Sequence, residues 1–465
     1  MTSKGFVREA FRGKNTFLLR IAIIAAIGGF LFGYDTGIIS GAQVYITKDL
    51  KISQMEQQWL VGALLVGAIA GAAVAGWLAD RIGRKWTKVI AGSVYVAGGL
   101  ASALAPDIVF LLVARFVLGL AVGTASFVSV EYIAEQSPPR LRGGVTSFNQ
   151  LMVTSGILVS YLVAAGFQNV SGTWRWMLGL SAVPGLALAL GMLTVPKTPR
   201  WLLGRGREDE AREVLLRTRS EDEADDEIDQ IKDAVEESRG IGLRDLFANP
   251  LRRLMVVGLA LAIGQQFIGV NTVIYYSATI LQFTGLSASS SVLQAISVGL
   301  TNVVFTVVAI LLLDRLGRKP LLLIGTVGAV LSLIGLGLWF EVSALNAHGV
   351  IALIFLLTFM ASFAVGLGPV FWLMISEIYP VGVRSRAMAV ATVANWTANF
   401  LVSYFFLQLV DVIGKSGTFY LYAGLGVAAL VYFTVRLPET KDRSLEEIQR
   451  DLGAEQDQQP VAARS

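Results

Sequence analysis

The hexapeptide "DRIGRK" at residues 80–85 returns as "DRLGRK" at residues 314–319, 234 positions later. Two further motif pairs, each 242 positions apart, keep the same order: "EQSPPRLRG" from Glu135 with "EIYPVGVRS" from Glu377, and "PKTPR" from Pro196 with "PETKD" from Pro438. Three motifs repeated in one order at nearly one offset indicate that the chain is built from two similar halves.

The composition indicates an integral membrane protein. Of the 465 residues, 54% are hydrophobic and only 15% are charged, against roughly 25% charged residues in an average soluble domain. A membrane-spanning helix needs about 20 mostly apolar residues, and about twelve such blocks follow one another along the chain. Transmembrane β-strands would instead appear as segments of about 10 residues with alternating polarity. The predicted class is therefore an all-α membrane protein of twelve transmembrane helices.

The basic residues predict the orientation in the membrane. With the N-terminus in the cytoplasm, twelve spans return the C-terminus to the same side. All but five of the 38 Lys and Arg residues then lie on the cytoplasmic side, as the positive-inside rule requires. The exceptions are Lys48, Lys51, Arg175 and Lys415 outside and Arg115 within a span. We expect a multi-pass protein of the cell (plasma) membrane with both termini cytoplasmic, and a first apolar block too long to be a cleaved signal peptide.

The repeat and a polar interruption predict the domain organisation. We expect a six-helix bundle in residues 1–195, a cytoplasmic helical linker in 196–250, a second bundle in 251–437 and a cytoplasmic tail in 438–465. The offset encloses an even number of helices, so the halves run in the same direction through the membrane. The charged stretch "GREDEAREVLLRTRSEDEADDEIDQIKDAVEES" predicts short amphipathic helices, either a solvated connection or a regulatory surface.

The stretch "QQFIGVNTVIYY" at residues 265–276 places amides and tyrosines in a block without charged residues. Unpartnered polar groups are costly in hydrocarbon, so these side chains need partners. On an unbroken helix Gln265, Gln266 and Asn271 would point in three different directions, at about 0°, 100° and 240° around the helix axis. A break at Gly269 would let all three line one cavity, as broken helices do in transporters. The alternative is that these amides hold neighbouring helices together.

With these motifs, the chain resembles the sugar porter family of the major facilitator superfamily. The resemblance covers nearly the whole chain and is carried by "GYDTGIISGA" from Gly33, "QQFIGVNTVIYY", "GLGPVFW" from Gly366, "PKTPRWL" from Pro196 and the paired loops. It implies two six-helix bundles that rock about a central site, with monosaccharides or cyclic polyols as substrates. Three residues depart from the family pattern: Lys197, Phe371 and Asp442.

The resemblance also implies the residues of the sugar site. A carboxamide offers two donors and an acceptor, which suits the hydroxyl groups of a sugar without burying a charge. An indole ring stacks on the apolar face of a sugar. The expected substrate-binding residues are Gln150, Gln265, Gln266, Asn271, Asn302, Trp372, Asn395 and Trp396, with Phe32, Tyr275 and Tyr276 as apolar walls or an outer gate.

Two charged residues are expected within spans, Asp35 in "LFGYDTG" and Arg115 in "LVARFVLG". A charge at the bilayer centre costs roughly 2.5–3.5 kcal/mol even on lenient scales, so such residues are functional candidates. In the family, an acid and an arginine at these positions mark proton-coupled members. We therefore expect a co-transported proton and no other cofactor. A permanent ion pair in a passive carrier is the alternative.

The repeated loops are expected to form a cytoplasmic gate. Acids and arginines at helix ends form bridges and cap helix termini, and their breakage would set the balance between two conformations. The expected gate residues are Asp80, Arg84, Glu135, Arg142, Arg200, Asp314, Arg318, Glu377, Arg384 and Glu439.

Other classes of function fit the sequence less well. The chain contains no cysteine and a single histidine, His348, and it lacks the known nucleophile and metal motifs, so neither an enzyme nor a metal site is expected. A sugar sensor that binds without transporting is a further alternative, although such relatives usually carry a longer cytoplasmic extension. We expect a sugar or polyol and membrane lipid as partners, no nucleic acid, and function as a monomer. The sequence leaves open which sugar is bound.

Overall fold

The computed structural model describes residues 14–138, 142–238, 242–249, 251–346, 348–380, 382–441, 443 and 445–452. Helices dominate this part of the chain. The first half contains α1 (Lys14–Asp49), α2 (Gln54–Ile82), α3 (Arg84–Ala103), α4 (Ile108–Gln136), α5 (Arg142–Phe167), α6 (Thr173–Gly179) and α7 (Ala182–Leu193). The connection contains α8 (Pro199–Gly204), α9 (Glu208–Leu216), α10 (Glu221–Ser238) and a 3₁₀ turn (Asp245–Phe247).

The second half repeats this plan with more interruptions. Its helices are α11 (Leu251–Phe267), α12 (Val270–Tyr275), α13 (Ser277–Gln282), α14 (Ala288–Leu316), α15 (Arg318–Glu341), α16 (Ser343–Asn346), α17 (Gly349–Val365), α18 (Leu367–Glu377), α19 (Arg384–Tyr404), α20 (Phe406–Arg436) and α21 (Leu445–Asp451). Three spans are assembled from consecutive pieces: α6 with α7, α11 with α12 and α13, and α17 with α18.

Ten segments of the described chain are long and apolar enough to cross a membrane. Two further helices, α3 and α19, complete the twelve spans although they are more polar. Each lies among spanning helices, α3 against α4 and α7, and α19 against α2 and α11. Most of the polar residues that lower their hydropathy, such as Lys88 of α3 and Asn395 of α19, are buried against these neighbours.

The span that begins with α11 breaks at Gly269, as the sequence predicts. Gly269 adopts a positive φ of 84° between α11 and α12, a conformation that side chains disfavour. A Cβ atom here would also lie 2.5 Å from the ring of Tyr422. A second break follows at Tyr276, with φ −110° and ψ 20°, between α12 and α13.

The two halves meet mainly where α5 packs on α14 and α2 packs on α19, and α1 also contacts α12 and α13. We call the end of the molecule that carries residues 80–85 and 314–319 the motif end, and the opposite end the far end. At the far end, Trp59 of the first half packs edge-on against Tyr404 of the second, with ring centroids 5.0 Å apart. Gln54 also donates a hydrogen bond to Asp411 across the halves. The far end is closed.

The connection between the halves is docked on the first half. Arg219 forms a bidentate ion pair with Glu227 of α10, at 2.6 and 2.8 Å. The same guanidinium donates to the carbonyl oxygen of Gln136 at the end of α4, at 3.1 Å. Small apolar clusters, including Leu202 and Val214, hold α8 to α9. Helices α8, α9 and α10 occupy the stretch for which the sequence predicts amphipathic helices.

One basic residue lies at an unexpected depth. Lys88 of α3 is completely buried, and its ammonium group donates to the Ser129 hydroxyl at 2.9 Å and to the Ala25 carbonyl oxygen at 2.5 Å. The sequence groups Lys88 with the adjacent basic loop, whereas α3 continues directly from Arg84 into the bundle and buries this side chain.

Candidate functional site

A polar cavity lies between the two halves, about midway along the spans. Its walls come from α1, α5, α11, α12, α14, α17, α18 and α19. The lining residues are Phe32, Thr36, Gln150, Val153, Thr154, Ile157, Gln265, Gln266, Asn271, Ile274, Asn302, Phe363, Gly368, Trp372 and Asn395. None of these residues carries a charge. The cavity volume is about 40 Å³, so the site is contracted in this conformation.

The amides of the cavity are bonded to one another. Gln266 donates to Asn395 at 3.1 Å and to Gln265 at 3.2 Å, and it accepts a hydrogen bond from Asn271 at 2.7 Å. Asn395 in turn donates to Gln265 at 2.8 Å and to the Ala262 carbonyl oxygen at 2.9 Å. The break at Gly269 brings Asn271 within reach of Gln266, which an unbroken helix would not do. The network can exchange these bonds for bonds to a hydroxylated ligand.

Eight of the eleven residues expected to bind substrate line this cavity, and three do not. Trp396 is buried behind Phe32, with ring centroids 4.9 Å apart at 63°. Tyr275 and Tyr276 are also fully buried. Tyr275 is the last residue of α12, and Tyr276 follows it at the break, where it packs on Phe406 with ring centroids 5.0 Å apart. In this conformation these three residues back the cavity or close it.

Sequence reasoning missed several lining residues. Val153, Thr154 and Ile157 follow Gln150 at spacings of three, four and seven residues, which places them on one helix face. That spacing could have predicted them. Thr36 also lines the cavity, but in this stretch only its charged neighbour Asp35 was predicted to be functional. Asn302 is expected and present, and its buried side-chain oxygen has no hydrogen-bond partner among the described residues.

The two expected intramembrane charges form an ion pair. A terminal nitrogen of Arg115 lies 3.4 Å from a carboxylate oxygen of Asp35, and both side chains are buried. The Arg115 Nε donates to the Leu60 carbonyl oxygen at 2.5 Å. The guanidinium of Arg115 is therefore shared between two acceptors. Its contact with Asp35 is longer than the usual length of a charge-assisted hydrogen bond, about 2.7–2.9 Å. Asp35 directly precedes the cavity residue Thr36.

At the motif end of the first half, Arg84 is the centre of an ion-pair network. Its guanidinium lies 3.0 Å from Asp80, 3.0 Å from Glu131 and 3.2 Å from Glu135. Glu131 also accepts a hydrogen bond from Ser385 of the second half, at 2.7 Å. Glu131 was not predicted, although it lies one helical turn before Glu135. Through Glu131, the network connects the two halves.

The second half has a corresponding network with one addition. Arg318 bonds to Glu377 at 2.9 Å, and Thr440 donates to the same carboxylate at 2.5 Å. Glu439 accepts hydrogen bonds from the backbone amides of Arg318 and Lys319, at 2.9 and 3.0 Å, and so caps α15. Arg384 donates to the Tyr379 carbonyl oxygen at 3.1 Å.

The environment of Glu439 changes its acidity. Burial alone would raise the pKa of Glu439, but hydrogen bonds from four backbone amides, led by that of Lys441, lower this pKa below its ordinary value of 4.5. The stabilising contribution of this cap is therefore present above the ordinary pKa. It is lost as the pH falls through the lowered pKa.

Of the remaining gate residues, the structure describes the side chain of Arg200 but not those of Arg142 and Asp314. Arg200 lies near Glu135 and lines a second cavity of about 240 Å³ between the halves, together with Asp80 and Arg84. The side chains of Arg142 and Asp314, and residue 442 among the family departures, lie outside the described residues. Lys197 lies over the Trp201 ring at 5.0 Å, whereas the matching position of the second half is Glu439.

Fold and site together define a membrane transporter, with twelve spans in two halves around a central polar cavity and ion-pair networks at one end. The family model described as "Sugar (and other) transporter" matches residues 21–452. The chain belongs to this sugar transporter family of the major facilitator superfamily, and it is a transporter rather than an enzyme.

Individual relatives are similar over nearly their whole length. The D-xylose transporter of Levilactobacillus brevis is 39% identical, over 93% of this chain and 95% of that protein. The galactose-proton symporter of Escherichia coli K12 is 37% identical, over 95% and 96%. Among solved structures, the proton:xylose symporter XylE bound to 6-bromo-6-deoxy-D-glucose is 33% identical, with a TM-score of 0.82 over 94% of this chain and 99% of that one.

Proposed function

We propose that the protein is a proton symporter that moves a neutral monosaccharide or cyclic polyol across the cell membrane by alternating access. The substrate is a hexose, a pentose or myo-inositol, the motif end and both termini face the cytoplasm, and the monomer is the functional unit. One observation carries this proposal. The uncharged, amide-lined cavity is directly adjacent, through Thr36, to the buried ion pair of Asp35 and Arg115.

The cavity supports a neutral, hydroxylated substrate. Its polar walls are carboxamides and hydroxyls, which replace the hydration of hydroxyl groups without burying a charge. Trp372 and Phe32 supply apolar surfaces for the C–H face of a ring. The D-xylose transporter and galactose-proton symporter among the relatives support the same substrate class.

The ion pair supports coupling to a proton. A carboxylate buried in the membrane needs either a cationic partner or a proton. Because the contact between Arg115 and Asp35 is long, Asp35 can exchange its partner for a proton when the cavity opens to water. Sugar movement would then be tied to protonation of Asp35.

The test is transport by purified protein in liposomes. Labelled glucose, galactose, xylose, arabinose and myo-inositol are offered with and without a pH gradient, and we expect one of them to accumulate only with the gradient. Asp35→Asn imitates the protonated form, so it should still exchange sugar across the membrane but should not accumulate it. Asp222→Asn, which changes an exposed acid of α10, is the control and should behave like the unmodified protein.

The outcomes separate the alternatives. Transport of the unmodified protein that ignores the pH gradient would identify a passive carrier. Binding of sugar without any exchange would identify a sensor. Undiminished accumulation by Asp35→Asn would exclude this residue as the proton site.

A further inference from the structure

The second cavity, at the motif end, has a different chemistry from the central one. Its volume is about 240 Å³, which suits a small ligand. It shares no lining residue with the central cavity. Its charged lining residues in the described chain are four arginines, Arg84, Arg200, Arg205 and Arg386, and one acid, Asp80. The central cavity is lined by uncharged groups, whereas this one is lined mainly by guanidinium groups.

The acids near this cavity are gathered around one of its arginines. Asp80 lies 3.0 Å from Arg84, and Glu131 and Glu135 lie 3.0 and 3.2 Å from the same guanidinium. Glu135 also lies near Arg200, but beyond ion-pair distance. The charge of Arg84 is therefore already balanced by carboxylates, and a further anion would be held by the other arginines.

Two of these other arginines are held in place without a carboxylate partner. Arg205 donates to the carbonyl oxygens of Asp80 and Arg81, at 3.2 and 2.6 Å, and its guanidinium lies 5.4 Å from the centre of the Trp201 ring. Arg200 forms no ion pair within the described part of the chain. Carbonyl oxygens and an indole ring orient a guanidinium but leave its full positive charge. The cavity therefore carries positive charge that the described chain does not balance with a bonded acid.

The second half adds the beginning of a long helix to the same cavity. Gly382, Ser385 and Arg386 line the cavity, and α19 begins at Arg384. The first turn of a helix has backbone amides without partners inside the helix, and it carries a partial positive charge. Helix N-termini are common phosphate sites for this reason. The arginines and the helix terminus thus favour the same kind of ligand, an anion.

The two cavities together indicate which anion this is. Guanidinium groups match the oxygens of a phosphate group in geometry and charge. A phosphate ester carries about −1.5 to −2 charge at pH 7, and the uncharged central cavity would have to bury that charge without compensation. A sugar that has been phosphorylated inside the cell is therefore excluded from the central cavity, whereas the arginines of the motif end suit it.

We propose that the cavity at the motif end binds a phosphate monoester of a small sugar or polyol from the cytoplasm, and that this ligand slows transport. Arg200 and Arg386 belong to opposite sides of the cavity, so a ligand held by both stabilises the conformation in which the motif end is closed. A closed motif end exchanges no sugar with the cytoplasm. The regulatory part of this inference rests on the transport function proposed above, whereas binding of the ester does not.

Calorimetric titration of the protein in detergent micelles, without added phospholipid, tests the site itself. The probes are glucose 6-phosphate and inorganic phosphate, with sodium chloride at equal ionic strength as the blank. We expect both probes to bind. Arg200→Gln and Arg386→Gln should each weaken binding about tenfold, the usual effect of losing a hydrogen bond between charged groups. Arg244→Gln, which changes an exposed arginine outside the cavity, is the control and should bind like the unmodified protein. The melting temperature shows that each variant is folded.

Sugar exchange in liposomes tests the regulation. Exchange of labelled sugar is measured without a pH gradient, with glucose 6-phosphate on both sides of the membrane at ten times its measured dissociation constant. At that concentration a ligand favours the conformation that binds it about tenfold, so we expect exchange to slow by about tenfold in the unmodified protein and in Arg244→Gln. Arg386→Gln should be slowed much less. The vesicles are phosphatidylcholine, with or without phosphatidylglycerol.

The outcomes separate this inference from the proposed function. If the unmodified protein exchanges no sugar, the proposed function fails, and the titration still decides whether the cavity binds phosphate. If neither probe binds above the blank, or if Arg200→Gln and Arg386→Gln bind both probes as Arg244→Gln does, the inference is wrong. Loss of the effect of the ester in vesicles with phosphatidylglycerol would also overturn it, because a lipid headgroup would then be the occupant of the cavity.

Discussion

At the scale of single residues, the cavity amides are bonded to one another, and under the proposed function they also bind the sugar. Gln266 bonds to Gln265, Asn271 and Asn395 in the contracted cavity. A sugar must replace some of these bonds with its own, and the binding free energy is the difference between the two sets. Affinity therefore depends on how the network rearranges as well as on the number of contacts.

Gln266→Ala is the substitution that tests the network. It leaves Asn271 and Asn395 without one partner each and removes a donor for the sugar. We expect sugar affinity to fall by about 1 kcal/mol or more, roughly fivefold, the usual cost of an unsatisfied buried group. Calorimetric titration of the purified protein measures this. Gln408→Ala changes an exposed amide and should keep the affinity. Equal affinity in both variants would mean that Gln266 serves helix packing.

The sequence predicts residue types at the site better than residue orientation. The amides at 265, 266 and 271 were predicted because unpartnered polar groups are costly in hydrocarbon, whereas those at 150, 302 and 395 followed from the family resemblance. Trp396 was expected to touch the sugar, yet it lies behind Phe32. Which way a ring points is set by packing with other helices, and that information is not local in sequence.

At the scale of elements, the break at Gly269 determines the site. Gly269→Ala would place a side chain in a left-handed conformation, costing about 1–2 kcal/mol, and would press its Cβ against Tyr422. We expect lower thermal stability and weaker sugar binding, because α12 must move away from α20. Gly424→Ala is the control, since a Cβ there meets nothing within 4 Å. Similar melting temperatures for both variants would contradict this account.

Helices and breaks differ in how well local sequence predicts them. The spans follow from hydropathy, and the break at Gly269 follows from three amides that one helix face could not present together. The depth of Lys88 does not follow, because its acceptors, Ala25 and Ser129, belong to other helices. The bond from Ser385 to Glu131 is likewise invisible locally, since it joins residues 254 positions apart.

At the scale of the whole molecule, the two ends are held by different kinds of contact. At the far end, Gln43 and Tyr161 of the first half donate hydrogen bonds to the backbone carbonyl oxygens of Tyr275 and Ile274, beside the break at Tyr276. The motif end uses ion pairs, and Ser385 donates across the halves to Glu131. The stability of one end relative to the other sets the balance between conformations.

Ser385→Ala should shift this balance. Loss of the bond to Glu131 is worth about 1 kcal/mol, which changes the ratio of the two conformations roughly fivefold towards an open motif end. Because the chain has no cysteine, two introduced cysteines with spin labels can report distances across the motif end. Ser93→Ala, whose hydroxyl bonds only within α3 in the described structure, should leave the distances unchanged. Unchanged distances in Ser385→Ala would show that the ion pairs alone hold this end.

The polarity of α3 and α19 affects how the protein enters the membrane during synthesis. Charged residues within a span raise the cost of insertion by the translocon, most strongly at the span centre. Helix α3 begins with Arg84 and Lys85 and buries Lys88 one turn further on. Helix α19 packs on α2 and α11, which are synthesised before it. Helix α3 depends on α4, which supplies Ser129 and is synthesised after it. We therefore expect α3 to enter the bilayer together with α4, as a helical hairpin, rather than alone.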